Sequence, residues 1–325
     1  MLRAWLVVLV TCVPFTAFAD EEPAAKYPDG LRLMASSLSI LRLNPTGLET
    51  RARVGLQKKL YPSDKPITEN NFFFAGVFPK LNPASAQIGI GGELQPASIF
   101  NVRSFVEVQK YFGTVGYLQS FGSANANYSD ATLANNKDNP TPATEPEAAT
   151  GMRFSVQPML QLKFGKIALR ALAMFDYWNF SARGATAYEP TVDTLLPDAG
   201  WTVSTDTDLL YVTGTGLAAG LRHSWVKPMY STKHFVDAAD EAAYDGENAH
   251  QRLGLFAAYT LHDTGPSTFN KPTVILIVSW YLQHKYRAGE PDVLDPGHTA
   301  DDYRSRALPY FLAGFAFESD FIDVR

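Results

Sequence analysis

Cysteine is almost missing from this 325-residue chain; Cys12 is the single one. It lies in a segment read below as a removable leader, so the rest has no thiol and no disulfide to staple a small core. Long hydrophobic runs are missing as well. Past the first nineteen residues nothing reaches the eighteen apolar residues of a membrane helix, and the longest run, Val274 to Leu282, is of strand length. Positive charge is not in excess. The 28 basic residues face 33 acidic ones, a net −5, which excludes nucleic acid as an expected partner. There is no HExxH or CxxC, and His234, His250, His262, His284 and His298 are scattered without metal-ligand spacing. Gly89-Ile90-Gly91-Gly92 lacks the following helix and lysine of a phosphate loop and reads as relief of strand curvature. No cofactor and no metal are expected.

What is present begins with an address. Arg3 precedes an apolar run from Ala4 to Val13, and Ala17-Phe18-Ala19 stands before the acidic Asp20-Glu21-Glu22. That order predicts a cleaved secretory signal over 1–19, because the run is too short for a spanning anchor. Thr11 occupies the place where a lipoprotein site needs a small residue, so Cys12 leaves with the leader. Loss of Arg3 moves the net charge from −5 to about −6.

After the leader, long segments alternate apolar and polar residues. Leu48, Thr50, Ala52, Val54 and Leu56 share one face of an extended strand, and Glu49, Arg51, Arg53, Gln57 and Lys59 share the other. Met152, Phe154, Val156, Leu160 and Leu162 likewise oppose Arg153, Ser155, Gln157, Gln161 and Lys163. Phe100, Val102, Val106 and Val108 oppose Asn101, Arg103, Glu107 and Gln109. Sandwich strands run about five or six residues, whereas these have the nine to eleven needed to cross a bilayer at a tilt. With no spanning helix, only a closed barrel satisfies the backbone in hydrocarbon.

The expected fold is therefore all-β, a closed antiparallel transmembrane up-and-down barrel of about twelve strands over 30–325, with 20–29 a short periplasmic segment. The strands are expected at 30–43, 48–61, 70–80, 85–95, 99–121, 151–164, 166–181, 201–213, 217–231, 249–262, 271–287 and 303–317. Residues 122–150, 182–200, 232–248 and 288–302 are long and polar, while Pro96 to Ser98, Gly165 and Gly214 to Gly216 are tight, so the long connections are expected to face outward. Aromatic residues gather at strand ends, at Tyr61, Tyr111-Phe112, Tyr117, Tyr177-Trp178, Trp225, Tyr230, Trp280-Tyr281 and Tyr286, and are expected to form two interfacial girdles.

On these features the chain resembles the Gram-negative outer-membrane β-barrel class, across essentially all of the sequence after the leader. The aromatic-rich stretch from Tyr310 to Phe317 is similar to the class's terminal strand. Ser319 to Arg325 follows it, where the class ends on an aromatic, and Phe317 or Phe321 is expected to serve that role. The resemblance implies residence in the bacterial outer membrane, among lipids and lipopolysaccharide, and delivery by barrel-insertion machinery.

If apolar faces meet lipid, the lumen-lining set is Arg51, Arg53, Lys59, Arg103, Glu107, Arg153, Lys163, Arg170, Asp176, Arg222, Arg252 and Lys285, with Glu49 and Glu93 as further inward acids. This is a basic lumen, which predicts a porin-like passive channel for small solutes or ions that mildly favours anions. Pairing of these bases with inward acids in a narrow barrel is the alternative. The strand from Thr273 to Leu282 is apolar on both faces, so residues 20–29 or an infolded loop are expected to pack inside and narrow the pore.

Acidic residues collect in the long connections, at Glu145, Glu147, Asp237, Asp240, Glu241, Asp245, Glu247, Asp292, Asp295, Asp301 and Asp302. They read as a solvated surface or as oxygen ligands bridging cations to the outer leaflet. The other function class is a closed structural or adhesive barrel, or a lipid hydrolase working at the rim or loops. Its one adjacent pair, His223-Ser224, is weak, since neighbours in a strand point to opposite faces.

Overall fold

The computed structural model describes residues 30–265, 267–289 and 298–324. The predicted leader, the segment from Asp20 to Asp29, and Asp292 and Asp295 lie outside the described residues. Twelve strands close on themselves in chain order: β1 (Leu31–Leu43), β2 (Gly47–Lys58), β3 (Phe72–Asn82), β4 (Ser85–Ala97), β5 (Phe100–Tyr111), β7 (Thr150–Phe164), β8 (Ile167–Asn179), β11 (Gly200–Val212), β12 (Leu217–Met229), β13 (His250–Thr260), β14 (Asn270–Gln283) and β15 (Tyr310–Val324). All neighbours are antiparallel, and β15 returns to β1 in a ladder from Leu31 opposite Val324 to Leu43 opposite Phe311. Closure leaves no edge strand with unpaired backbone groups.

The faces are inverted relative to a water-soluble barrel. In β4, Ile88 and Ile90 are 58% and 67% exposed, while Glu93 is 1% exposed. In β7, Met152, Phe154, Leu160, Leu162 and Phe164 are exposed on the outside, and Ser155 and Gln161 are buried. Full burial of such an apolar side chain contributes about 1.5–3 kcal/mol, which a wall in water would forgo at position after position.

Two expected strands are placed differently. The fifth stops at Tyr111 instead of running to 121, because Gly113 and Gly116, at φ +70° and +88°, turn the chain, and Gln119–Phe121 becomes a separate strand, β6. The twelfth covers Tyr310–Val324 instead of 303–317. Tyr303 is instead buried in an aromatic cluster under the loops. Ser319 onward continues the strand through a bulge opposite Leu33 and Met34, so Phe317 lies well inside it, packed on Phe269 at 5.1 Å between ring centroids.

The connections 112–149, 180–199 and 230–249, and the described residues 284–289 and 298–309, all lie at the end of the barrel opposite the start of β1 and the end of β15. Inside them β9 (Thr186–Glu189) and β10 (Thr194–Pro197) form a hairpin that joins β6 in a three-stranded sheet, and every residue of β9 and β10 is buried. Pro190 presets the first turn position, the amides of Val192 and Asp193 return to the Glu189 carbonyl, and Asp193 takes a left-handed φ of +57° that aspartate tolerates. Helix α1 (Asp130–Asp138), capped by the Ser129 hydroxyl, lies beside this sheet.

Candidate functional site

The hairpin closes over the lumen. Its tip is bonded to several sides of the wall: Arg42 of β1 donates to the Pro190 carbonyl (3.3 Å), His250 of β13 to that of Val192 (2.7 Å), and His284, just past β14, to that of Asp193 (3.0 Å). Tyr111 of β5 donates to Glu189 at 2.7 Å. The Asp193 carboxylate accepts from Tyr188 (2.8 Å), from Tyr281 and from Arg287 (2.9 Å). Arg287 also grips Asp130 of α1 with both terminal nitrogens, at 2.9 and 2.7 Å, and Asn44 of the β1–β2 turn at 2.8 Å. One guanidinium thus ties hairpin, helix and barrel rim together.

Electrostatics hold this latch in its charged form. Burial alone would raise the Asp193 carboxyl, but Arg287 and then His284 outweigh it and hold the group well below the usual carboxylate range. Burial, reinforced by Asp193, pushes the Tyr188 phenol well above its ordinary value, so it remains a donor.

Beneath the tip is a cavity of about 330 Å³. Eight basic and five acidic side chains line it, and Glu189, Thr191 and Val192 of the hairpin border it. Around β2–β5, β7, β8, β11 and β12 the charges are paired. Glu93 serves both Arg53 and Arg103 (2.9 Å) and accepts from Asn101 at 2.7 Å. Glu107 accepts from Lys80 (3.0 Å) and Arg153 (3.3 Å), and Arg153 reaches on to Asp176 at 2.9 Å. Asp208 joins Arg170 (2.8 Å) to Arg222 (2.6 Å), and Glu49 holds Arg51. The wall of β13, β14, β15 and β1 is apolar instead, through Leu38, Ile40, Phe256, Ile275, Ile277 and Leu312.

Of the residues expected in the lumen, Arg51, Arg103, Glu107, Arg153, Arg170, Asp176, Arg222 and Arg252 line this cavity. Arg53 is buried against Ser36 and Glu93 within the barrel. Lys163 sits one residue from the end of β7, and Lys59 and Lys285 fall just past the ends of β2 and β14. The reading of a basic lumen missed Asp206 and Asp208. Their strand β11 puts Thr205 and Thr207 on the outside, which blunts the alternation that would have revealed them. It also missed Lys80, and Glu189 and Asp193, which belong to a hairpin inside a segment read as a loop.

The expected girdles are only half right. Alternation splits each aromatic pair: Tyr111, Trp178 and Tyr281 are buried inside, whereas Phe112 and Trp280 are exposed outside. Tyr286 is buried under the loops, in a cluster with Tyr128, Tyr188 and Tyr303. The outer girdle at the loop end includes Trp201, which meets Tyr177 edge-on at 5.4 Å. Ten residues further along β11, Tyr211 is exposed near the other end. Ten residues at about 3.4 Å each and a tilt of about 40° separate the two rings by about 26 Å along the barrel axis, the height of an outer-membrane apolar band. The chain is a closed twelve-strand antiparallel β-barrel.

No family model matches this barrel, and no curated protein matches its sequence. Among solved structures it is similar to an outer-membrane channel from Pseudomonas putida F1, at 9% identity over 93% of this chain and 100% of the other with a TM-score of 0.41. It is also similar to the NanC porin, at 8% identity over 89% and 100% with 0.38, and to OccD3 of Pseudomonas aeruginosa, at 10% over 92% and 93% with 0.34.

The barrel wall separates the one adjacent histidine and serine. Ser224 points inward and donates to Asp206 at 2.5 Å, while His223 is bonded to Gln251 at 3.2 Å from the next strand's outward set. The loop acids have structural work: Asp240 accepts from Ser123 (2.6 Å) and Asn125 (2.9 Å), and Asp302 accepts from Ser129.

Proposed function

We propose that this barrel is a porin-like passive channel for small solutes, mildly favouring anions, and narrowed at its loop end by the β9–β10 hairpin. The observation that carries the reading is the cavity of about 330 Å³ inside a closed wall, where basic side chains outnumber acidic ones eight to five. Most of those bases are paired, so the field is modest and selectivity is weak. In this reading residues 1–19 are removed on export, the long connections face outward, and the loop acids meet the lipopolysaccharide side.

Single-channel recording of refolded residues 20–325 in a planar bilayer under a salt gradient tests it. A steady current with an anion-leaning reversal potential is expected, and Arg51→Gln should move that potential toward cations. A sealed bilayer under every condition removes the channel. The second reading, a barrel closed at rest that works through its loops, is favoured by the bonds holding the hairpin tip. It predicts no current from the native chain.

A further inference from the structure

The cavity is chemically two-sided, and Arg252 stands at the seam. The other cavity bases described above are bound to carboxylates or, for Arg42, to the hairpin backbone. Among the described residues Arg252 has no carboxylate within 4 Å and makes no side-chain hydrogen bond. Its guanidinium lies over the rings of Tyr310, 3.9 Å to the centroid, and Tyr281, 5.5 Å. Its Nε is buried without a partner. A cation–π contact stabilises the charge but does not fill the donors of a guanidinium. The nearby carboxylates are already engaged, Asp206 by Ser224 and Asp208 by Arg170 and Arg222.

Next to Arg252 the wall turns apolar. Beyond Gly254 on the inward face of β13 comes Phe256, one face of its ring under the Arg222 guanidinium at 4.5 Å to the centroid, and Ile275 and Ile277 of β14 lie beside it in the same buried cluster, with Leu38 and Leu312 packed against it. Elsewhere around the cavity the corresponding inward positions on β5, β7 and β11 include Arg103, Glu107, Arg153 and Asp206. One unfilled cation beside an apolar surface has the chemistry of a site for one charge on an apolar body, and the cavity's volume lies within the range of small-molecule pockets.

We propose that this cavity binds an amphipathic monoanion, a single carboxylate on a small apolar body, with Arg252 taking the carboxylate and Phe256, Ile275 and Ile277 taking the body. The proposal names a solute class for the channel read above and rests on that reading for its physiological sense, but the binding itself is measured without current.

The test is isothermal titration of benzoate into the full barrel, refolded in a zwitterionic detergent, with acetate and benzyl alcohol as head-only and body-only probes. Benzoate should saturate at one site and bind at least tenfold more tightly than either. Arg252→Gln should weaken benzoate at least tenfold and leave benzyl alcohol nearly unchanged, whereas Ile277→Ser should weaken benzoate and leave acetate unchanged. Absence of saturable benzoate heat, or wild-type affinity in an Arg252→Gln barrel whose heat-modifiable mobility shows closure, overturns the site. If Arg252→Gln does not close, the wild-type ranking of the three probes decides. Conductance of the same sample without benzoate separates the two ideas: binding without current removes the channel and keeps the site, and current without binding does the reverse.

Discussion

Asp193 and Arg287 meet at 2.9 Å over the mouth of the barrel, ninety-four residues apart in sequence. Both side chains are almost wholly buried, 3% and 4% exposed, so the pair has left water and depends on its remaining bonds. Removing one partner of a buried pair costs about 3–5 kcal/mol when the other charge is stranded, and less here because Arg287 keeps its two bonds to Asp130. Asp193→Asn should therefore release the hairpin tip without opening the barrel wall. The expected outcome is a larger single-channel conductance with unchanged heat-modifiable mobility. A current equal to that of the native chain would separate the latch from the pore.

The same pair sets a pH dependence. A carboxyl whose folded pKa is depressed stabilises the folded arrangement above its unfolded value, about 3.9, and loses that contribution only as pH falls through the lower folded value. Arg287 and His284 hold Asp193 well below the usual range against the opposing effect of burial. The hairpin should thus stay latched from pH 8 down to about 4, and conductance should be flat across that window. An acid-triggered opening near pH 6 would show that another group controls the plug.

Inside the wall, Glu93 is shared by Arg53 and Arg103, and its side chain is fully buried. Glu93→Gln leaves two buried guanidinium groups without their carboxylate and should cost about 3–5 kcal/mol. The exposed pair of Lys137 and Asp138 gives the contrast: Lys137→Ala should cost under about 1 kcal/mol. Urea unfolding midpoints in lipid vesicles measure both, and equal midpoints would mean that the charge ladder contributes little to stability.

The barrel was legible in the sequence because its signal is local. In β7 each residue's face follows from its neighbour's, and Met152 through Phe164 declare the wall without reference to any other strand. The plug was not, because its signal is distant. Asp193 and Tyr286 meet Arg287 and Tyr128 from other connections and Glu189 meets Tyr111 of the wall, and in sequence a polar loop that folds inward looks like one that faces solvent. Val274 to Leu282 gave the one hint, since an apolar inner face asks for something inside, and Ile275 and Ile277 do pack with Phe256 and Tyr281. Tyr111-Phe112 and Trp280-Tyr281 misled in a more instructive way. Composition assigned both rings of each pair to the interface, whereas the two-residue period of a strand sends one of them inward, where Tyr111 and Tyr281 bind the plug.

The lipid-facing reading of the exterior makes a depth-dependent prediction that a water-soluble barrel would not share. Leu255 is 58% exposed near the middle of β13, and Met229 is 52% exposed at the last residue of β12. In water, an exposed leucine or methionine replaced by arginine changes stability by less than about 0.5 kcal/mol at either place. In a bilayer, arginine costs about 2–4 kcal/mol at the midplane and about 0–1 kcal/mol near the interface. Leu255→Arg should therefore lower the urea midpoint of the vesicle-inserted barrel strongly, and Met229→Arg should lower it little. Neither variant disturbs an inward contact, so the difference between them reports depth in hydrocarbon, and two equal midpoints would move Leu255 out of the membrane.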